Sequence, residues 1–275
     1  MSDIRTVLVQ STAPTPSLAP LDDADAERRF GALRRLYGDA GYERIRRSSV
    51  AVVGVGGVGS WAVEALARSG VRELVLIDFD HVAESNINRQ VQAVDSTLGM
   101  AKGEALRQRI QGIHPQCKVR LVDEFVSADN WPALWPHPID GLIDACDQGQ
   151  AKLALARWAL DHSVAMVCSG AAGGKRQAQR VELADLADVT HDPLLATLRQ
   201  RLRKAGAARQ GRIGVACVFS REQLVLPDGE CATDGSLNCH GYGSSVAVTA
   251  TFGMVAAGEL LSRLAAPADG FTSTV

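Results

Sequence analysis

Residues 49–80 decide the fold of this chain, and they read SVAVVGVGGVGSWAVEALARSGVRELVLIDFD. The stretch begins with the β-branched run 50–53 and passes directly into a glycine-rich turn. A helix-like pattern follows, and then a second apolar run that ends in Asp78. Strand, glycine turn, helix and strand, with an acid about 20 residues beyond the glycines, are the fingerprint of a nucleotide-binding βαβ unit.

The glycines at positions 54, 56, 57 and 59 explain why this pattern favours a nucleotide. Gly54, Gly56, Gly57 and Gly59 permit a tight turn and let backbone N–H groups approach a phosphate at the helix N-terminus. Asp78 would accept hydrogen bonds from ribose hydroxyls. The alternative is a glycine-rich turn in a βαβ unit that binds nothing.

The rest of the chain predicts an α/β protein. Apolar runs alternate with helical patterns, which is typical of a Rossmann-like, doubly wound, mostly parallel sheet with helices on both faces. Beyond residue 180 the pattern changes to two strand-like runs, 215–220 and 223–226, that could pair as a hairpin. The long apolar segment 246–264 follows, so we expect a C-terminal strand and helix extension.

We expect one domain. Residues 1–25 are rich in Pro, Ser, Ala and Asp and predict a mobile N-terminal arm. Residues 26–265 form the single predicted domain, and residues 266–275 a tail.

Composition limits the function classes. With a net charge of −2, no global field attracts the chain to nucleic acid, so any RNA contact must use a local patch. None of the six cysteines forms a CxxC pair, and no signal peptide is visible, which favours a cytoplasmic protein.

Because Glu259 and Arg263 interrupt the apolar segment 246–264, we expect this segment to be a helix packed on the sheet or on a partner subunit and not a membrane span. Peripheral membrane association stays open.

Charged side chains gather where a doubly wound fold places its ligand. Two fixed cations and a pair of carboxylates near a ribose acid suit a nucleoside triphosphate with a divalent metal. NAD would not need that many charges. The residues concerned are Asp80, Asn86, Arg89 and Gln90 after the second strand, Lys102 at the start of the next helix, and Asp144 and Asp147 after the fourth strand.

These motifs resemble a known superfamily. GVGGVGSWAVEALARSG, LIDFD, SNINRQ, Lys102 and IDACD, in this order, are similar to adenylate-forming enzymes related to ubiquitin-activating enzyme and to bacterial activators of sulfur-carrier proteins. Within it, the chain resembles the tRNA threonylcarbamoyladenosine dehydratases through RFGALRRLYG, SGAAGG, DPLLATLRQRLRK, GVACVFS and TATFGMVAAGELL. The resemblance covers roughly residues 28–262.

The resemblance implies a role for each matched residue. It assigns the nucleotide turn to the glycines, ribose binding to Asp78 and metal binding to Asp147. An arginine of the N-terminal segment, Arg29 or Arg35, would reach the ATP site of the partner subunit in a homodimer. The phosphate-binding residues would be Asn86, Arg89 and Lys102, with Asp80 and Gln90 beside them.

The resemblance also implies the reaction. A tRNA carboxylate, that of threonylcarbamoyladenosine at position 37, would attack the α-phosphorus of ATP to give an acyl-adenylate, which an internal nucleophile would close into a ring with loss of water. ATP and Mg²⁺ are the implied ligands, with room for a monovalent cation. A cysteine desulfurase system is a candidate sulfur-transfer partner.

Several alternatives remain at the level of the sequence. Activation of a ubiquitin-like sulfur-carrier protein is one, although sulfur-carrier activators usually have two CxxC zinc pairs and this chain has none, so we expect no zinc. An NAD-dependent oxidoreductase and a scaffold without chemistry are others. Cys239 is either the site of a transient thioester or a loop cysteine without a catalytic role.

A basic cluster near residue 200 is the predicted tRNA contact, with a solvated helix face as the alternative. It comprises Arg199, Arg201, Arg203, Lys204, Arg209 and Arg212.

Overall fold

The computed structural model describes residues 23–135, 137–223 and 242–267. Cys239, most of the predicted arm and tail, and all but the first residue of the predicted strand 223–226 therefore lie outside the described residues. The described strands are β1 (Ser49–Val53), β2 (Glu73–Ile77), β3 (Lys118–Val122), β4 (Gly141–Asp144), β5 (Ala165–Ser169), β6 (Val181–Asp185) and β7 (Ala216–Ser220). The described α-helices are α1 (Asp23–Phe30), α2 (Arg34–Arg47), α3 (Gly59–Arg68), α4 (Lys102–Ile113), α5 (Gly149–Asp161), α6 (Pro193–Lys204) and α7 (Val246–Ala265).

The strands form one sheet in the order β3-β2-β1-β4-β5-β7-β6. All neighbouring pairs are parallel except β6 and β7, which are antiparallel. The order in which successive strands are added to the sheet reverses between β1 and β4, and this is the switch point where doubly wound sheets bind ligands. The predicted fold class is confirmed.

Helices cover both faces of the sheet. On one face, residues of α2, α3, α4 and α7 share a core with β1 and β2. On the other face, α5 and α6 pack with the opposite sides of the same strands. Both layers are needed because β1 is buried along its whole length, as central parallel strands are.

The edge of the sheet differs from the sequence prediction. Both edges of the run 215–220 are paired with other strands, and the residues from 224 to 241, where a hairpin partner was predicted, lie outside the described residues. The strand of this run, β7, lies between β5 and β6, and β6 comes from the earlier residues 181–185. Four of the five β6 residues are only half-buried, so this edge strand lacks the apolar run that reveals a central one.

The apolar C-terminal helix α7 packs on the sheet, as expected. Val248, Phe252, Ala256 and Leu260 are fully buried there. Most of its apolar surface is thus covered within the chain, and it does not by itself require a partner subunit. No helix in the described parts of the chain has the length and apolarity to cross a membrane.

Candidate active site

A cavity of about 300 Å³ opens at the carboxyl ends of the central strands. Ten of the residues predicted to bind the nucleotide or its metal line it: Gly54, Gly56, Gly57, Asp78, Asp80, Asn86, Arg89, Gln90, Lys102 and Asp147. Segments far apart in sequence therefore meet at one place, because parallel strands end at the same edge of the sheet.

The glycine turn is shaped by two positions that admit no side chain. Gly54 has φ +79°, and a Cβ there would lie 2.9 Å from the backbone nitrogen of Cys146. A Cβ on Gly59 would lie 1.8 Å from the carbonyl oxygen of Gly54, so Gly59 serves the turn without lining the cavity. Gly56 is different, because its added Cβ would meet nothing closer than 3.9 Å. The space above Gly56 is open to a ligand.

Asp78 braces this turn. Its Oδ2 accepts a hydrogen bond from the backbone N–H of Val55 at 2.7 Å, and its Oδ1 accepts one from that of Asp80 at 2.9 Å. Burial raises the pKa of Asp78 above its ordinary value, although Lys102 and the two N–H donors act in the opposite direction. The carboxylate keeps lone pairs for a ribose while it fixes the glycine turn.

Lys102 supplies a positive charge at the base of the cavity. It is the first residue of α4, its side chain is 8% exposed, and its Nζ lies 2.7 Å from Oδ2 of Asp80. The backbone N–H of Lys102 also donates to the carbonyl of Asp80. The side chain of Asp80 is 55% exposed, so this ion pair faces the cavity with its acidic side accessible to solvent.

The loop after β2 brings Asn86, Arg89 and Gln90 to the opposite wall. Asn86 is buried and its Oδ1 accepts from the backbone N–H of Ala83, which closes a tight turn. The carbonyl of Arg89 accepts a hydrogen bond from Trp61 Nε1 at 3.0 Å. Among the described residues, the Arg89 guanidinium donates to two neighbours in its own loop, Ser85 and Asn88, and can turn toward an anion.

Asp144 and Asp147 do not form the predicted pair of cavity carboxylates. Asp144 is fully buried, lies 3.2 Å from Nζ of Lys152, and accepts hydrogen bonds from the thiols of Cys146 and Cys168. Asp147 is exposed and lines the cavity. The prediction was wrong for Asp144, which has a structural role.

Lys152 is the residue that this buried cluster is built around. Burial disfavours its charge, but Asp144 and the neighbouring thiols outweigh burial and raise the pKa of Lys152. Its Nζ also donates to the carbonyl of Ser169 at 2.7 Å. The ammonium thus ties the end of β4 to the end of β5, immediately beneath the cavity.

The surroundings of the two cysteines beside Lys152 favour the protonated thiol over the thiolate. Burial and the nearby Asp144 carboxylate raise the pKa of the Cys146 thiol well above its ordinary value. A hydrogen bond from Cys217 and burial raise that of Cys168 in the same way. Both thiols stay protonated and serve as hydrogen-bond donors.

The N-terminal arginines lie away from the cavity of their own chain. Arg29 donates to the carbonyl of Ile113 at 2.8 Å, at the opposite end of α4 from Lys102. Arg35 is exposed, and within the described parts of the chain its guanidinium forms no ion pair. Arg34, between them, is held by Glu27, Asp39 and Glu43. Of these three arginines, Arg35 is therefore the one that the described residues leave available to another molecule.

Two members of the predicted basic cluster are engaged inside the protein. Arg199 donates to the carbonyl of Val189 at 2.7 Å, and Arg212 lies 3.9 Å from a carboxylate oxygen of Asp185. These contacts engage Arg199 at the β6–α6 connection and Arg212 at the α6–β7 connection. The contact of the cluster with tRNA stays a prediction. Within the described residues, no group of three or more His, Cys, Asp or Glu side chains is arranged to hold a metal ion.

A family model described as the ThiF family matches residues 30–274. The chain belongs to the ThiF family. It is 40% identical over 259 residues to the tRNA threonylcarbamoyladenosine dehydratase of Escherichia coli, covering 89% of this chain and 97% of the relative. It is 38% identical over 244 residues to the dehydratase of Haemophilus influenzae, covering 86% and 94%. A crystal structure of the E. coli dehydratase, TcdA, in complex with ATP matches with a TM-score of 0.79 at 39% identity over 88% of this chain and 96% of that chain.

Sequence reasoning missed several features of this ThiF-family site. Lys152 was hidden because it lies in the helical run AKLALARWAL, where a lysine usually faces solvent. Phe125 lines the cavity from the loop after β3, and Tyr242 and Thr249 line it from the C-terminal region. Single aromatic or hydroxyl residues, whether in a loop or in the first turn of a helix as Thr249 is, carry no sequence signal that distinguishes them from surface residues.

Proposed function

We propose that this chain catalyses the ATP-dependent dehydration of threonylcarbamoyladenosine at position 37 of tRNA. The observation that carries the proposal is one cavity that joins a glycine turn, a ribose acid and two cations, in a chain that matches the dehydratases over nearly the full length of both partners. The chain is an adenylate-forming enzyme that uses ATP.

The reaction uses ATP to give the carboxylate a good leaving group. A carboxylate is a poor electrophile because oxide or hydroxide would have to leave. One carboxylate oxygen of the modified nucleoside attacks the α-phosphorus of ATP, and pyrophosphate leaves. The internal nucleophile then attacks the acyl carbon, AMP leaves with the former carboxylate oxygen, and the nucleophile's proton passes to solvent. The nucleoside has then lost the elements of water.

We assign the binding of ATP to the residues that line the cavity. The backbone N–H groups of the glycine turn and the N-terminus of α3 face the phosphates, and Asp78 accepts from the ribose hydroxyls. Lys102 and Arg89 offset the charge that develops on the departing pyrophosphate, and Asn86 and Gln90 position the chain of phosphates between them. Catalysis here consists of placing groups and stabilising charge.

Asp147 is the proposed holder of Mg²⁺. It is the exposed carboxylate of the loop after β4, whereas Asp144 is buried beneath the cavity and the Asp80 carboxylate is paired with Lys102. A single carboxylate suits Mg²⁺, which keeps several waters and takes further oxygen ligands from phosphates. When bound, the ion would supply positive charge to the triphosphate.

The active form that we propose is a homodimer. Arg35 is exposed on α2, and the loop that carries Asn86 and Arg89 also exposes Ile87, Val94 and Leu98, each more than 40% accessible. Exposed apolar residues beside a cavity favour a protein contact there. A partner's Arg35 or Arg29 would add a third cation to the phosphates. A monovalent cation and a sulfur-transfer partner remain proposals that rest on the family resemblance.

The test is the release of AMP and pyrophosphate from ATP. We expect both products to form in equal amounts and only when the tRNA carries threonylcarbamoyladenosine. Matched tRNA without the modification is the control. Hydride transfer with NAD and no consumption of ATP would favour the oxidoreductase alternative and would refute the proposal.

A further inference from the structure

A second concave surface lies along α6, separate from the cavity already described. This surface, the α6 groove, encloses about 630 Å³. Of the seven described residues that line it, four are basic and none is acidic. The lining residues are Ala196, Thr197, Arg199, Gln200, Arg203, Lys204 and Arg209.

Three of these positive charges are not balanced within the protein. Arg203, Lys204 and Arg209 form no ion pair with a carboxylate in the described parts of the chain, although arginines elsewhere, such as Arg109 and Arg221, do so. The Nε of Arg203 is buried and lacks a hydrogen-bond partner there. A buried N–H donor without an acceptor is unfavourable, and an anion in the groove would satisfy it.

The backbone fixes how these charges converge. At the end of α6 the N–H of Gly206 donates to the carbonyl of Arg203, and that of Ala207 donates to the carbonyl of Leu202. Gly206 has φ +106°, so the chain reverses in a conformation that favours glycine. The turn brings Arg209 back to the wall of the groove. The cluster is therefore a consequence of helix termination and not of chance side-chain placement.

The groove is connected to the active-site cavity by one rigid element. Leu194, in the first turn of α6, lines the cavity, and Lys204 at the last turn lines the groove. At ~1.5 Å per residue these positions lie about 15 Å apart along the helix. That is on the order of four nucleotide steps of a helical strand at ~3.4 Å each.

We propose that the α6 groove binds the phosphate backbone of the tRNA a few nucleotides from the base whose carboxylate is activated. The inference rests on the proposed function, which places that base at the cavity. Because the protein has a net charge of −2, attraction of a polyanion depends on such a local cluster. The groove contacts would hold the tRNA in register without reading its sequence.

The experiment is a tRNA-binding titration at several salt concentrations. The variant carries Arg203→Gln, Lys204→Gln and Arg209→Gln, and a double variant with only Lys204→Gln and Arg209→Gln changes exposed side chains alone. The charge-matched control carries Arg72→Gln, Lys118→Gln and Arg180→Gln, three exposed residues elsewhere. ATP affinity and thermal unfolding are measured for each protein.

We expect the triple variant to bind tRNA about tenfold or more weakly and to lower the slope of log affinity against log salt by about 2 to 3, with ATP affinity unchanged. The double variant should show about two-thirds of that change in slope, because it removes two of the three charges, and the control should match the wild type. Unchanged tRNA affinity and slope in the groove variants would overturn the inference. The arginines and Lys204 would then serve only the C-terminal dipole of α6.

Two further outcomes would distinguish a failure of the groove inference from a failure of the proposed function. Loss of binding to anionic phospholipid vesicles with tRNA binding intact would assign the groove to membranes and overturn the tRNA assignment. If the wild-type protein binds tRNA through the groove but leaves its threonylcarbamoyladenosine unchanged with ATP, the groove inference stands and the proposed function fails.

Discussion

Asp144 and Asp147 lie three residues apart, but only Asp147 reaches the cavity. Asp144 is the last residue of β4, and its side chain enters the layer between the sheet and α5, where Lys152 neutralises it. Asp147 lies in the following loop, beyond the edge of the sheet. A carboxylate near the end of a strand therefore has a structural role when its side chain points into the protein, as in Asp144. It is available to a ligand when its side chain points into the cavity, as in Asp147.

The first prediction concerns Asp147. Asp147→Asn should lower ATP turnover by about 100-fold or more, because the amide cannot offset the charge of a divalent cation. The free energy of unfolding should change by less than about 0.5 kcal/mol, since the side chain is exposed. Asp161→Asn, at the far end of α5, is the control. Full turnover in a folded Asp147→Asn protein would remove Asp147 from the metal site.

The second prediction separates the two tasks of the glycine turn. Gly59→Ala should destabilise the protein by about 3 kcal/mol or more, because its Cβ would overlap the carbonyl of Gly54. Gly56→Ala should leave the unfolding free energy within about 1 kcal/mol but weaken ATP binding by about tenfold, since its Cβ occupies space meant for phosphate. Urea unfolding and ATP titration measure the two effects. Equal stability of both variants would contradict this division.

For single residues, the sequence predicted correctly which of them line the cavity, but it was less reliable about the contacts that each side chain makes. Gly54, Asp78, Lys102 and Asp147 could be placed because each lies at the end of a recognisable strand or the start of a helix. The failures, Asp144 at the end of β4 and Lys152 in α5, depend on whether a side chain points into the protein or toward the cavity. A single sequence does not record that direction.

At the scale of elements, α1, α2 and α4 meet around His114. Its ring packs edge-to-face with Phe30 at 4.8 Å, and its Nε2 lies 3.2 Å from the guanidinium of Arg46. Burial, with the nearby charges of Arg46 and Arg29, lowers the pKa of His114 from 6.5 to about 4. The folded protein therefore holds this imidazole neutral where the unfolded chain would protonate it.

The third prediction follows from that difference. The stabilisation is fully present above pH 6.5 and is lost as the pH falls toward about 4, because the unfolded state then binds the proton more readily. At about pH 5 the loss should be on the order of 2 kcal/mol. Urea unfolding at about pH 7.5 and pH 5 should show it in the wild type and in His162→Gln, but much less in His114→Gln. An equal loss in His114→Gln would contradict the prediction.

The elements themselves differed in how well the sequence revealed them. The apolar runs of β1, β2 and β4 and the helical pattern of α4 were predictable because buried parallel strands and helices have local patterns. β6 was not, since an antiparallel edge strand needs apolar residues on only one face. Its pairing with β7 is a long-range contact that local periodicity cannot encode.

At the scale of the whole molecule, the fourth prediction tests composite sites in a homodimer. A protein with Arg29→Ala and Arg35→Ala is mixed with an Asp147→Ala protein, each inactive alone. If an arginine acts across the interface, half of the randomly exchanged dimers have one complete site, so the mixture should recover about a quarter of wild-type turnover. Subunit exchange is verified with differently tagged copies. No recovery after exchange would place the arginine in its own chain's site or outside catalysis.

The central claim is that the carboxylate of the tRNA nucleoside is activated as an adenylate. The most direct measurement uses tRNA whose threonylcarbamoyladenosine carries heavy oxygen in both positions of the carboxylate, incubated with the protein and unlabelled ATP. Mass spectrometry should show that the nucleoside loses one heavy oxygen with the elements of water and that AMP gains it. Unlabelled AMP, or heavy oxygen in inorganic phosphate instead, would contradict the account.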